Sequence, residues 1–316
     1  MKSRNRNREE AGGQAAPEIE EAGAPRSRRP YCDPPDAYAD VTDTLRKIRK
    51  ERGRPLFALM ADAIDSGISR RVFDWRALLR QAGAEGPLDV LLHSQGGRLN
   101  ECYTIARLFA RCTDAWDALV PERAASGATM IALGSARLVM AETAELGPLD
   151  PQVTSKRRER FFSSERQSPL EAFQSVRYLR EFSLESIDEV MRFLLDKRVT
   201  HKLALEAAAK VSADLVRPIL ERIEPFDLGA FALDSRVAIE YCSRIARPAS
   251  GAKQAQRNVN PRALVENYPA HEFVIDSEEA ESLGFALSPP APEIDALFDT
   301  LRKHLPRVRK YVGLIA

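Results

Sequence analysis

The sequence predicts an α/β protein, a core of alternating strands and helices followed by a mainly helical region. Three observations predict it. Short apolar runs of strand length stand at Leu56–Ala61, Leu88–Leu92, Trp116–Val120 and Leu138–Met140, separated by stretches of helical length. Such alternation implies βαβ units and a parallel sheet covered on both faces. It stops after about residue 152, where long amphipathic patterns take over. Residues 1–35 contain no Leu, Val, Phe or Trp. That segment has too little apolar surface to offset its ordering entropy and is expected to be a disordered tail.

Each element has a local reason. Asp40 to Glu51 reads as a helix, and Phe73 to Gln81 as a second one stopped near Gly83. Leu99 to Cys112 places Leu99, Cys102, Ala106 and Phe109 on one helical face. A further helix is expected from Gly127 to about Leu133. Ser168-Pro169-Leu170-Glu171 combines an N-cap serine, a proline at the first helical position and a capping-box glutamate. The helix it starts runs to about Asp196, with Phe173, Val176, Leu179, Phe182, Ile187, Val190 and Leu194 as its buried stripe. Helices follow around 202–223 and 227–246, and a loop over 250–261. His271 to Ile275 reads as a late strand, and Asp276 caps a short helix that Gly284 closes. Trp75 and Trp116 are expected in the core. The resulting division is a tail at 1–35, an α/β core at 36–155, and a helical region at 156–316 that returns to a short αβ piece.

Composition narrows the function. The 316 residues carry 47 Lys+Arg against 46 Asp+Glu, and this balance argues against electrostatic capture of nucleic acid. The four cysteines (Cys32, Cys102, Cys112, Cys242) form no CxxC pair, which suits a reducing, cytoplasmic setting. No apolar run reaches the ~18 residues of a membrane span, and no apolar core follows the first basic residues as in a secretory signal.

Three stretches carry candidate chemistry. His93-Ser94-Gln95-Gly96-Gly97 follows a strand and precedes a helix. Paired glycines let a backbone approach a ligand and aim N–H groups at an anion, although the same text also makes a plain tight connection. It is neither GxGxxG nor a Walker loop, so a nucleotide cofactor is not expected. In the second stretch, Val120 to Thr129, a serine among small residues opens an apolar helix. Ser126 there is either an ordinary N-cap or a nucleophile beside N–H groups suited to a developing oxyanion. The third, Leu146-Gly147-Pro148-Leu149-Asp150-Pro151-Gln152, is turn-rich.

In this order, HSQGG at 93–97, VP at 120–121, SGATMIAL at 126–133 and LGPLDPQ at 146–152 closely resemble the serine dehydrogenase proteinase family. Those proteins are relatives of signal peptide peptidase A and, more distantly, of Clp protease and the crotonases. The resemblance covers residues 54–152 and, more weakly, Phe273 through Gly284. It implies a Clp/crotonase-type spiral of ββα units with a mainly helical C-terminal region, assembled into a homo-oligomer. It also implies a serine peptidase-like hydrolase that acts on peptide or protein substrates without a metal or other cofactor. Ser126 matches the nucleophile; Gly127 and Gly96 or Gly97 match the oxyanion-hole donors. Two positions depart from the family pattern: glycine and alanine are exchanged in S-G-A-T, and Gln95 stands for the proline of P-G-G.

A serine nucleophile needs a base. No histidine lies between His93 and His201, which leaves the Clp-like triad without its member. Lys156, the only lysine between Lys50 and Lys197, is the in-register candidate for a Ser/Lys dyad, within a charged run that also reads as a solvated face. His93 precedes the glycine loop and reads as a structural histidine at a strand end. Two other readings stand beside the peptidase. One is a catalytically weak or inactive oligomeric scaffold or peptide-binding module, motivated by the missing base. The other is acyl-CoA chemistry, which the fold alone does not exclude.

Overall fold

A computed structural model describes residues 29–149, 169–221, 225–247 and 259–316. Strand β1 (Tyr31–Asp33) leads into α1 (Tyr38–Arg52), which ends on Gly53 in the left-handed region. Then come β2 (Leu56–Ala61), α2 (Ser66–Asp74), α3 (Arg76–Glu85), β3 (Leu88–Ser94), α4 (Leu99–Cys112), β4 (Trp116–Val120), β5 (Arg123–Ala124), α5 (Gly127–Leu133), β6 (Arg137–Met140) and β7 (Glu145–Leu146). The later elements are α6 (Pro169–Asp196), α7 (His201–Leu220), α8 (Pro225–Ala246), α9 (Pro261–Glu266), α10 (Ser277–Ser282), β8 (Leu287–Ser288), α11 (Pro292–Arg302) and β9 (Lys310–Ile315).

The main sheet runs β1-β9-β2-β3-β4-β6-β8. From β2 to β8 the pairings are parallel, as the alternation predicts, whereas β9 is antiparallel to both β1 and β2. The short β5 and β7 continue from the end of β3 as a parallel extension, with Ser94 opposite Ala124 and Arg123 opposite Glu145. Strands β2 and β4 are buried throughout, so their sequences do not alternate: β2 is a continuous apolar run and β4 is one broken only by Asp117. Phe57, Trp75, Phe109 and Trp116 form the aromatic centre beneath α3 and α4, with ring centroids 5.3–6.4 Å apart. On the other face Thr42 of α1 and Tyr311 of β9 share a hydrogen bond of 2.7 Å.

The N-terminal ends of the strands are closed by ions. Asp117 Oδ2 accepts from Arg52, Arg54 and Arg137 at 2.8–3.0 Å, and Arg52 also forks onto Asp89 at 2.8 and 2.9 Å. Both aspartates are buried and the arginines reach toward solvent.

Some expectations are revised. The helix expected at Phe73 to Gln81 is two helices. Asp65 caps α2 by accepting from Ile68 N–H, and the chain breaks at Trp75, whose ring enters the core. Gly83 does not stop α3. A Cβ there would lie 2.2 Å from Cys112 O, so this glycine lets α3 approach the end of α4. His271 to Ile275 is not a strand; only Ile275 forms an antiparallel bridge, with Leu146. The expected stripe of α6 is only half-buried from Val176 to Leu194, and Phe173 lies outside the residues whose side chains are described. Ser183 and Ser212 link α6 to α7, while Leu203, Val211, Leu215 and Ile219 remain exposed on α7. No helix among the described residues is long and apolar enough to cross a membrane.

Candidate active site

The three motif stretches meet at the C-terminal end of β3. After Ser94 the chain turns through Gly96 (φ 103°) and Gly97 (φ 153°) into α4. Ile64 flanks this turn: its N–H donates to Gly96 O at 2.6 Å, and its carbonyl accepts from Arg98 N–H at 2.9 Å. A Cβ on Gly97 would fall 2.2 Å from Ile64 O, and one on Gly96 would fall 2.7 Å from Ser126 Cβ. Both glycines are therefore required by close approach as well as by φ.

Ser126 has φ 50° and ψ −119° and is 6% exposed. Ala128 N–H donates to Ala125 O at 2.9 Å and closes a turn around it. These are the angles of the first central residue of a type II′ turn, where glycine is the usual occupant. A serine held there stores about 1–3 kcal/mol of backbone strain. It does not behave as an ordinary N-cap, because its side chain makes no capping hydrogen bond.

Threonine 129 fixes the third stretch to the second. Thr129 Oγ1 is fully buried, lies 2.7 Å from Ala124 O and 2.8 Å from Gly147 O, and accepts from Gly147 N–H at 3.2 Å. Gly147 packs on Ala125; a Cβ there would lie 2.9 Å from Ala125 Cβ. No local pattern marks Thr129 beyond its place three residues after Ser126, because its partners are carbonyls of β5 and of the loop after β7.

The backbone donors divide. Gly96 N–H donates to Ser94 Oγ at 3.1 Å. Among the described residues, neither Gly97 N–H nor Gly127 N–H has a hydrogen-bond acceptor. The two lie close together: a Cβ on Gly127 would be 3.4 Å from Gly97 N. That same Cβ would sit 2.4 Å from Cys102 Sγ, which explains why glycine rather than alanine follows Ser126 in S-G-A-T. Burial pushes the Cys102 thiol up to about 12, so this sulfur is a packing group rather than a nucleophile.

Ser126 Oγ has no hydrogen-bond partner among the described residues. Lys156 lies outside the described residues, as do Asp150, Pro151 and Gln152 of the third motif. His93 is mostly buried on β3, and its Nδ1 has no partner among the described residues. Burial lowers its pKa; Glu122 and Asp62 oppose that shift, and Arg123 reinforces it. On the edge of the site Arg123 Nε pairs with Glu145, and Arg123 Nη1 donates to Gln95 Oε1 at 2.9 Å. No group of three or more His, Cys, Asp or Glu suited to a metal ion occurs among the described residues.

An uncharacterized protein of Methanocaldococcus jannaschii is 36% identical over 75 residues, which are 24% of this chain and 26% of that protein. The chain thus spans about a quarter of that relative's length. Among solved structures, two mutants of the 1510-N membrane-bound stomatin-specific protease, one in complex with a substrate peptide, match 48% of this chain. They are 17% and 16% identical, are covered over 67% and 65% of their own chains, and have a TM-score of 0.30. A ClpP1 mutant from Listeria monocytogenes matches 34% of this chain and 57% of its own, with 13% identity and a TM-score of 0.25. The sequence pattern of the ClpP-like SDH-type serine proteinases matches residues 53–222, more than half of the chain, and takes in β2, the glycine turn, Ser126 and the helical hairpin. The protein belongs to this ClpP-like serine proteinase family, with the Clp-type α/β fold.

Proposed function

We propose that the protein is a serine peptidase in which Ser126 attacks a peptide carbonyl carbon. The Oγ–C bond forms as the hydroxyl proton passes to a base. The carbonyl oxygen, now negative, accepts from Gly97 N–H and Gly127 N–H. Collapse breaks the C–N bond, the base returns its proton to the leaving amine, and water then hydrolyses the acyl-enzyme. Gly96 serves as the close-approach residue of the loop, its own N–H being held by Ser94. Lys156 is the proposed base. The observation that carries the reading is the pair of neighbouring N–H groups without acceptors beside a serine held at φ 50°. Losing one such donor typically lowers rate by about 10²–10³.

A fluorophosphonate probe tests it. Ser126 should be labelled, labelling should vanish in Ser126→Ala, and Lys156→Ala should slow it. Well-folded protein that takes up no label would refute the hydrolase reading. It would favour a second reading, a catalytically weak or inactive oligomeric scaffold or peptide-binding module, which is motivated by the lack of a histidine between His93 and His201.

The same proposal places Ser126 and the oxyanion donors in an α/β core of residues 36–155, and the proposed base Lys156 at the start of a mainly helical region, residues 156–316, of a cytoplasmic homo-oligomer. The exposed edge of α7 (Leu203, Val211, Leu215, Ile219) is apolar enough to need covering in such an assembly. The four free, buried cysteines suit a reducing compartment.

A further inference from the structure

We infer that Arg123 is a positioning residue that sets the distance between the Gly97 N–H and Ser126; this rests on the assignment of Gly97 as an oxyanion donor. From the second motif stretch the Arg123 side chain bonds to Gln95 of the first and to Glu145, the residue just before the third. It stands on β5, three residues before Ser126. Its Nη1 donates to Gln95, the residue before the paired glycines, at 2.9 Å. Its Nε pairs with Glu145, two residues before Gly147. The strand register makes this three-way contact geometrically natural. Ala124 pairs with Ser94 and Arg123 with Glu145, which places Arg123 beside the exit of β3 on one side and beside β7 on the other.

The glycine turn needs such a hold. The planar Gly96–Gly97 peptide is aimed by the Ile64 N–H on Gly96 O at 2.6 Å, but that bond lies on the side away from Ser126 and leaves the spacing between the two turns to other contacts. Ile64 and Ser94 hold Gly96 from the β2 side and from within the loop. The bond from Arg123 to Gln95 is the side-chain link between this turn and the Ser126 turn. A fork of fixed planar geometry is suited to spanning two acceptors at once, which a lysine ammonium does less well.

The pair is partly open to solvent, Arg123 being 37% and Glu145 22% exposed, so its contribution to global stability is small. Its effect on rate is not small, because a misplacement of about 1 Å costs on the order of 10²-fold. A purely structural salt bridge would show the opposite split.

The test uses the full chain with three variants, Arg123→Gln, Arg123→Lys and Gln95→Ala, and the fluorophosphonate probe. Arg123→Gln should lower the maximal labelling rate by about 10–100-fold with the half-saturating probe concentration within about threefold of wild type. Gln95→Ala should lower the rate in the same direction, and Arg123→Lys should recover part of it. In parallel, amide hydrogen exchange of residues 94–98 should speed up in Arg123→Gln while β2 stays protected. That measurement needs no activity. An Arg123→Gln protein with wild-type exchange over 94–98 would overturn the inference, as would a wild-type labelling rate in Arg123→Gln or Gln95→Ala. Wild-type protein that is not labelled at all would instead count against Ser126 as a nucleophile, and the exchange result would still decide the role of Arg123.

Discussion

Replacing Gly127 with alanine tests the packing beneath Ser126. The new Cβ would be 2.4 Å from Cys102 Sγ, against a comfortable separation of about 3.5–4.0 Å, so about 1 Å or more of overlap must be relieved. Cys102 is fully buried where α4 packs on α5, so the overlap is relieved by shifting a helix or by an off-rotamer thiol. Overpacking of this kind costs about 1–3 kcal/mol, and the helical gain of alanine over glycine returns about 0.5–1 kcal/mol. The net expectation for Gly127→Ala is a loss of about 1–2 kcal/mol. Cys102→Ala alone removes one buried atom and should cost about 1 kcal/mol. In the double variant the new methyl fills part of the space the sulfur left, and the remaining approach is 3.3 Å to Cys102 Cβ. The double variant should therefore be no less stable than Cys102→Ala, which is a coupling of about 1–2 kcal/mol. Urea melts of the four proteins, compared at constant slope, measure it. A neutral Gly127→Ala, or strictly additive losses, would refute the steric account of the glycine.

Three further outcomes follow from the site and its supports. Thr129→Val leaves Gly147 N–H, Ala124 O and Gly147 O without their shared hydroxyl, so its denaturation midpoint should fall by the equivalent of about 1–3 kcal/mol; an unchanged midpoint would remove Thr129 from the support of the loop. His93 is held neutral by burial, so the unfolded chain binds the extra proton more readily. Its contribution is intact above the unfolded value of about 6.5 and is lost as pH falls below it. The thermal midpoint of wild type should thus drop more steeply between about pH 7.5 and 5.5 than that of His93→Gln, and parallel profiles would contradict this. Asp117→Asn removes the charge that three arginines share; because those arginines are 20–50% exposed, the loss should be about 2–3 kcal/mol rather than the larger figure for fully buried pairs, and added salt should recover part of it.

Local rules made the centre of the fold legible. Strands β2, β3, β4 and β6 announce themselves because both faces of a parallel sheet are covered, which forces mostly apolar runs, and the Asp276 cap is recognisable from a carboxylate three residues before the N–H it accepts. What escaped depends on contacts distant in sequence. Nothing in Lys310–Ile315 says that it inserts antiparallel between β1 and β2. The apolar text of Phe273 to Ile275 looks like a strand, yet only Ile275 finds a backbone partner, and Phe273 packs on the Tyr268 ring instead. At the site, motif order brought out Ser126 and the glycines. It did not show which of Gly96 and Gly97 keeps its N–H without an acceptor among the described residues, because that depends on the Ser94 hydroxyl capturing one of the two N–H groups. The glycine–alanine exchange in S-G-A-T likewise has its cause on another helix, in Cys102.

The φ of 50° at Ser126 reaches further than the energy it stores. That region of backbone space is hostile to side chains branched at Cβ. Threonine offers the same hydroxyl as serine but carries the branch, so the turn excludes it on shape alone. An unbranched carbon bearing oxygen or sulfur remains acceptable. The backbone therefore acts as a filter on branching and not on element: a change of chemistry here passes from oxygen to sulfur, and the threonine hydroxyl is closed off before reactivity is ever at issue.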